Sequence, residues 1–268
     1  LEHKLGINAS PTCVMSYGDN DECIGELVGA ENRGLAAMFT MMNNARINVG
    51  SQGVQIAERA TQQALAYALE RVQSARAGAE DRTPVAIMDH PDVRRMLLRM
   101  RSLTEAMRGL LYYTAGQVDR GDIGDAAAKA RAEVLVPMLK AWATDTGIEV
   151  ASLGIQVHGG MGFVEETGAA QHFRDARIAP IYEGTNGIQA ADLVTRKLGL
   201  ENGGVAKFCR PCSPISPAMR ARKCGYRRWR ANVRRLPSGC ARMRRSTIAS
   251  RAACPSPPCA RSQWQAGA

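Results

Sequence analysis

The stretch Ile181-Tyr182-Glu183-Gly184-Thr185-Asn186-Gly187-Ile188-Gln189 sets one carboxylate beside a glycine and a threonine suited to cap a helix. Glu183 is the first candidate for chemistry. A carboxylate in water is too weak a base for a weakly acidic C–H proton, but desolvation raises its pKa towards the working range. Gly184 lets the backbone approach a bound molecule closely, and Thr185 fits the cap position of a following helix. Without its flanks, Glu183 reads as a solvated carboxylate at a helix start. Other candidates carry less. Glu165 and Glu166 are adjacent, so their carboxylates diverge and face water near a helix start, where the macrodipole favours them. His3, His90, His158 and His172 show no ligand spacing. The run His158-Gly159-Gly160-Met161-Gly162-Phe163 is misspaced for a dinucleotide fingerprint and reads as a helix stop. No phosphate-binding P-loop, His-Glu-x-x-His or Gly-x-Ser-x-Gly is present.

The elements that must hold these residues are helical. Residues 4 to 29 read as short extended pieces and turns, the end of a β region. From Glu31 apolar residues recur at three- and four-residue steps, through Leu35, Met38, Met42, Ala45, Val49, Val54, Ala57, Ala60, Ala64, Tyr67 and Leu69. That spacing predicts one long amphipathic helix ending near Arg76-Ala77-Gly78, with Met38, Met41 and Met42 in its core face. A second helix is predicted from Pro91 to about Val118, with Val93, Met96, Leu97, Met100, Leu103, Met107, Leu110 and Leu111 inward and Asp92, Arg94 and Arg95 outward. A third runs from about Ile123 to Thr146 through Pro137, where a lost ladder bond predicts a kink. A fourth covers Ile148 to about His158. Two more, about Glu165 to Ala176 and about Asn186 to Leu198, complete an antiparallel bundle with short connections.

Charge divides the chain. Its net charge of +10 comes from Lys207 onward, where 15 Lys and Arg stand with no acidic residue; the first 206 residues hold 20 basic against 25 acidic groups. Six of the eight cysteines fall in the same basic segment. Cys13 and Cys23 alone in the body suit a reducing compartment, the cytoplasm or an organelle matrix. No apolar run approaches bilayer length, no signal or transit pattern opens the chain, and the opening Leu1 is not expected to be the natural start. Three readings compete for residues 201 to 268. They are a basic arm for nucleic acid, a zinc site begun by Cys209 and Cys212 but given no second pair, or a GC-rich gene translated out of frame from about Val205. The Arg/Pro/Cys/Ala-rich text fits the third best, and no fold is expected there.

From Leu153 to Leu198 the order LGIQVHGGMGF, then FRDARIAPIYEGTNGIQ, then a helix resembles the C-terminal part of the acyl-CoA dehydrogenase family. The wording MFTMMNNARINVG and ASLGIQVHGG is most like the large subfamily that includes 3-methylmercaptopropionyl-CoA dehydrogenase. The resemblance covers roughly residues 1 to 205. It implies a mainly α fold: residues 1–29 as the end of a middle β domain, 30–200 as the helical bundle, and 201–268 as a disordered tail. It implies FAD-dependent α,β-dehydrogenation of an acyl-CoA thioester, with Glu183 taking the α-proton. Among the implied FAD contacts are Arg71, Gln156, Gly159, Gly160 and Thr185. Asn43, Arg46, Tyr182 and Gly184 fall on the substrate side. Asn43 replaces the usual acid, and Arg71 is followed by Val72-Gln73-Ser74-Ala75 rather than Lys-Thr-Phe-Gly. An electron-transfer flavoprotein as acceptor and a homo-oligomer are further implications. The family's N-terminal helical domain and most of its β domain lie outside this sequence, so the chain alone is expected to bind FAD poorly. Two rivals stand beside this reading: an inactive helical oligomerisation module, and nucleic-acid binding through the Arg-rich tail. Acyl-CoA oxidase is a same-fold variant.

Overall fold

The computed structural model describes residues 1–197. The readings of residues 201–268 as an out-of-frame tail, a zinc site or a nucleic-acid arm lie outside them. Three long helices form the framework: α1 (Gly34–Glu70), α2 (Pro91–Asp122) and α3 (Ala126–His158). Two short helices follow, α4 (Ala169–Ala176) and α5 (Asn186–Asp192), the last continued by a π-helical turn, Leu193–Lys197. None of the described helices is long and apolar enough to cross a membrane.

Side-chain pairs fix the directions. Arg99 of α2 meets Glu149 of α3, whereas Arg131 near the start of α3 meets Gln117 near the end of α2, so these helices are antiparallel. Along α1 and α3, Gly50 lies on Leu139, Gly53 on Ala143 and Ala60 on Gly154, so those two run the same way. The result is an up-down-up bundle. Its core joins Val54, Ala57, Ala64 and Ala68 of α1 to Met96, Met100, Met107 and Leu111 of α2 and Leu139, Ala143, Val150 and Val157 of α3. The inward stripe predicted for α2 is the one found. Pro91 occupies its first turn, where a missing N–H costs nothing. Asp125 caps α3 by accepting from the Ala128 N–H at 2.9 Å.

The structure departs from the periodicity in four places. First, the predicted third and fourth helices are one helix, which passes through both Pro137 and Gly147. Gly147 is a packing residue rather than a break. A Cβ on it would lie 2.9 Å from the Gly53 carbonyl oxygen, and a Cβ on Gly53 would lie 2.4 Å from that of Ala143. Second, α1 ends at Glu70, not near Gly78. Arg71 turns extended, and the chain pairs with itself through Gln73 N–H to Val85 O (3.0 Å) and Ile87 N–H to Arg71 O (2.8 Å). These bonds replace the helical ones, and Leu69 is left exposed. Third, Met38 and Met41 are exposed, because the first turns of α1 reach beyond the neighbouring helices; the core face begins near Arg46. Fourth, no strand occurs among the described residues, including the extended pieces expected before residue 30; the nearest thing is the isolated Val72–Ala86 bridge. A strand edge needs a neighbour to hydrogen-bond, and residues 8–33 are exposed throughout. Glu165 and Glu166 face water as expected, in a short 3-10 turn ended by Gly168.

Candidate active site

Glu183 sits in the loop between α4 and α5, half-buried, with φ +55°. Gly184 follows at φ +82°. A left-handed conformation costs a residue with a Cβ about 1–3 kcal/mol and persists only where the surroundings over-determine it. Those surroundings come from α3 and α5. The Lys140 Nζ donates to the Gly184 carbonyl at 2.8 Å, and Gln189 Nε2 donates to the same oxygen at 3.2 Å. Asn186 ties the start of α5 to α3: its Nδ2 donates to the Ala141 carbonyl (3.1 Å), Thr144 Oγ1 (3.0 Å) and Asp145 Oδ1 (2.9 Å), and its Oδ1 accepts from Lys140 (3.0 Å). Thr185 caps α5 by accepting from the Ile188 N–H at 3.2 Å, as its position predicts. The Glu183 N–H donates to no group among the described residues.

The side chains beside this turn are buried and charged. Arg46 of α1 is almost fully buried and pairs with buried Asp192 of α5 at 3.4 Å. Its Nε has no partner among the described residues. The other end of the guanidinium lies 3.8 Å from where a Gly184 Cβ would stand. Arg196 also binds Asp192, and its guanidinium is held above the usual range by that bond first. Tyr182 donates to Gln52; burial pushes its hydroxyl up, with the Gln52 bond opposing and the Glu183 charge adding. Asn43 is exposed and, with Arg46, Lys129, Glu133 and Lys197, lines a cavity of about 490 Å³ between the start of α1 and the facing ends of α2 and α3.

The remaining predicted contacts lie at the opposite end of α3. Gly159 closes that helix at φ +62°, its N–H donating to the Gln156 carbonyl. Tyr67 stacks on His158 with ring centroids 4.4 Å apart. These residues, with Arg71, Gln73 and His90, line an open pocket of about 370 Å³. Arg71 has no carboxylate partner among the described residues, and a Cβ on Gly159 or Gly160 would meet no atom within 4 Å. Gln156 is exposed one helical step away. The predicted residues therefore fall into two groups: Arg46, Tyr182, Glu183, Gly184 and Thr185 on one side, Arg71 and Gly159 on the other.

Sequence reasoning missed Lys140, Asn186, Gln189 and Asp192. A lone lysine inside the apolar stripe Val136, Leu139, Ala143 was the available signal for Lys140.

The family model "Acyl-CoA dehydrogenase, C-terminal domain" matches residues 32–198, the span from the start of α1 through the end of the described chain. The chain belongs to the acyl-CoA dehydrogenase family. Among its relatives is a 3-methylmercaptopropionyl-CoA dehydrogenase of Ruegeria pomeroyi, 56% identical over 211 residues, which are 77% of this chain and 35% of that protein. A butyryl-CoA dehydrogenase of Syntrophomonas wolfei is 39% identical over 215 residues, 76% of this chain and again 35% of the relative. Among acyl-CoA dehydrogenases of known structure, butyryl-CoA dehydrogenase from Megasphaera elsdenii superposes with a TM-score of 0.52 at 30% identity, over 62% of this chain and 39% of that one. The chain thus spans about a third of the length of these sequence relatives. As a family member it carries the helical C-terminal domain.

Proposed function

We propose that the protein carrying this chain oxidises an acyl-CoA thioester between Cα and Cβ, with Glu183 as the base. The observation that supports this best is the Glu183 turn: a half-buried carboxylate on a left-handed turn, with its own N–H left without an acceptor among the described residues. The carboxylate removes the α-proton, and the Glu183 N–H donates to the thioester oxygen, where negative charge develops as that proton leaves. Arg46 adds positive charge beside Gly184, while Asn43 and Tyr182 border the approach of the substrate. FAD, when bound, supplies the acceptor for the hydride that leaves Cβ. The residues present suit it: the Arg71 guanidinium, with no carboxylate partner among the described residues, lines one open pocket with Gly159 and suits a pyrophosphate, with Gly160, Gln156 and Thr185 as further contacts. An electron-transfer flavoprotein is the proposed acceptor of the electrons.

The test uses the full-length protein that carries this chain, loaded with FAD and mixed with acyl-CoA without oxygen. The flavin absorbance should bleach in the wild type, and Glu183→Gln should slow bleaching by about 10²- to 10⁴-fold while acyl-CoA still binds. Bleaching at the wild-type rate in Glu183→Gln would overturn the assignment. A second role, self-association as a homo-oligomer, is favoured by the exposed apolar residues Leu35, Met38, Phe39 and Met41 on α1 and Met138 and Trp142 on α3. Light scattering on the purified protein checks it; a monomer at all concentrations would exclude it.

A further inference from the structure

Lys140 has no solvent exposure and is the largest side chain buried to that degree among the described residues. An ammonium taken out of water is costly unless it is paired or hydrogen-bonded. Burial pushes its pKa down to about 8; Asp145 and Glu183 oppose that shift and Arg46 reinforces it. The core does not require a cation here. Its α3 neighbours on the inward face, Val136, Leu139 and Ala143, are buried and apolar, so packing alone does not call for a cation. What the lysine does contact is specific. Its two heavy-atom partners, the Gly184 carbonyl (2.8 Å) and Asn186 Oδ1 (3.0 Å), stand one and three residues after Glu183. The Gly184 carbonyl leads out of two consecutive left-handed residues, and its one other donor among the described residues is the Gln189 amide at 3.2 Å. Arg46 is close to the same turn but is engaged with Asp192.

We propose that Lys140 is a positioning residue for the reaction assigned above. By bonding the Gly184 carbonyl and the Asn186 side chain, it holds the Glu183–Gly184 turn left-handed and keeps the carboxylate aimed at the α-proton. The proposal rests on the reading of Glu183 as the base. Lys140 need not touch substrate; it acts through the turn. A small misplacement of the base is enough to matter, because about 1 Å can cost roughly 10²-fold in rate.

The test again uses the FAD-loaded protein. Lys140→Met should slow anaerobic bleaching by about 10²-fold, with the acyl-CoA dissociation constant changed by less than about threefold. Lys140→Ala should regain part of the rate when ethylammonium is added, because the small cation can occupy the site left by the side chain; Glu183→Gln should gain nothing. A wild-type bleaching rate in Lys140→Met overturns the proposal. So does a loss of rate matched by an equal loss of binding and thermal stability, without amine rescue, since that describes a lysine needed only for folding. The two assignments separate cleanly. Unchanged bleaching in Glu183→Gln removes the base, whereas a slow Glu183→Gln beside an unchanged Lys140→Met removes only the lysine's role. Should both lysine variants fail to fold, the wild-type chain still decides. The Gly184 carbonyl carbon resonance should titrate with pH around 8, where Lys140, faced by Arg46 with its partner Asp192, by Asp145 and by Glu183, loses its proton. A Gly184 resonance that stays flat while the Lys140 amine itself titrates overturns the proposal.

Discussion

Two of the left-handed turns among the described residues are built in opposite ways. At the Glu183–Gly184 turn the protein's own side chains close in: a Cβ on Gly184 would stand 2.8 Å from the Gln189 amide, and Lys140 and Gln189 both hold its carbonyl. At the end of α3, Gly159 turns with φ +62° into open space, and Gly160 beside it is equally uncrowded. The first turn is shaped by the protein's own side chains. The second presents backbone outward, next to an exposed arginine, and its small residues make sense in terms of what they face. On the function proposed above, pre-organisation is concentrated at the proposed base, and accessibility at the proposed place for a bulky anion.

Substitutions can break or sharpen this contrast. The largest effect is expected from Gly184→Ala, which meets both a positive φ and a filled volume. Its bleaching rate with acyl-CoA should fall by about 10²-fold, and a near-normal rate would show that the turn is more tolerant than its packing implies. Arg71→Gln should weaken FAD binding by about tenfold, the loss of one charge-assisted contact of roughly 1.4 kcal/mol, and leave the melting temperature of the FAD-free protein unchanged. Fluorescence titration with FAD measures the first and calorimetry the second. Thr185→Ala removes the cap of α5 and should cost about 1 kcal/mol in denaturant unfolding. The smallest effect is expected at Gly160→Ala, within about 0.5 kcal/mol of wild type in the same unfolding experiment, with any deficit confined to FAD affinity.

How much of this was legible beforehand depends on whether a residue's partner is near in sequence. The inward stripe of α2, its Pro91 start and the Thr185 cap are local matters, settled within a turn or two. The Glu183 motif was legible because its neighbours in sequence are part of the same turn. Gly147 was misread as a helix boundary because its reason for being glycine lies on α1, at Gly53. Met38 and Met41 have core spacing but no helix opposite them, and periodicity cannot report where a neighbouring helix stops. Lys140 and Asn186 escaped notice because each draws its meaning from the other across the bundle. Local pattern finds the elements; it does not find the long-range hydrogen bonds that set one turn.

The glycine contact between α1 and α3 has a mechanical consequence. Gly53 and Gly147 meet backbone to backbone, with no compliant layer of side chains between them. Arg46 and Lys140 each stand seven residues before their helix's glycine, a little under two turns and about 10 Å along the axis. The two cations therefore reach the Glu183 loop on arms of equal length from one fulcrum. A slide or roll of either helix at that fulcrum would swing both arms together, so a methyl group added far from the carboxylate, at Gly53, would act as a wedge under a lever whose far end is the Glu183 loop.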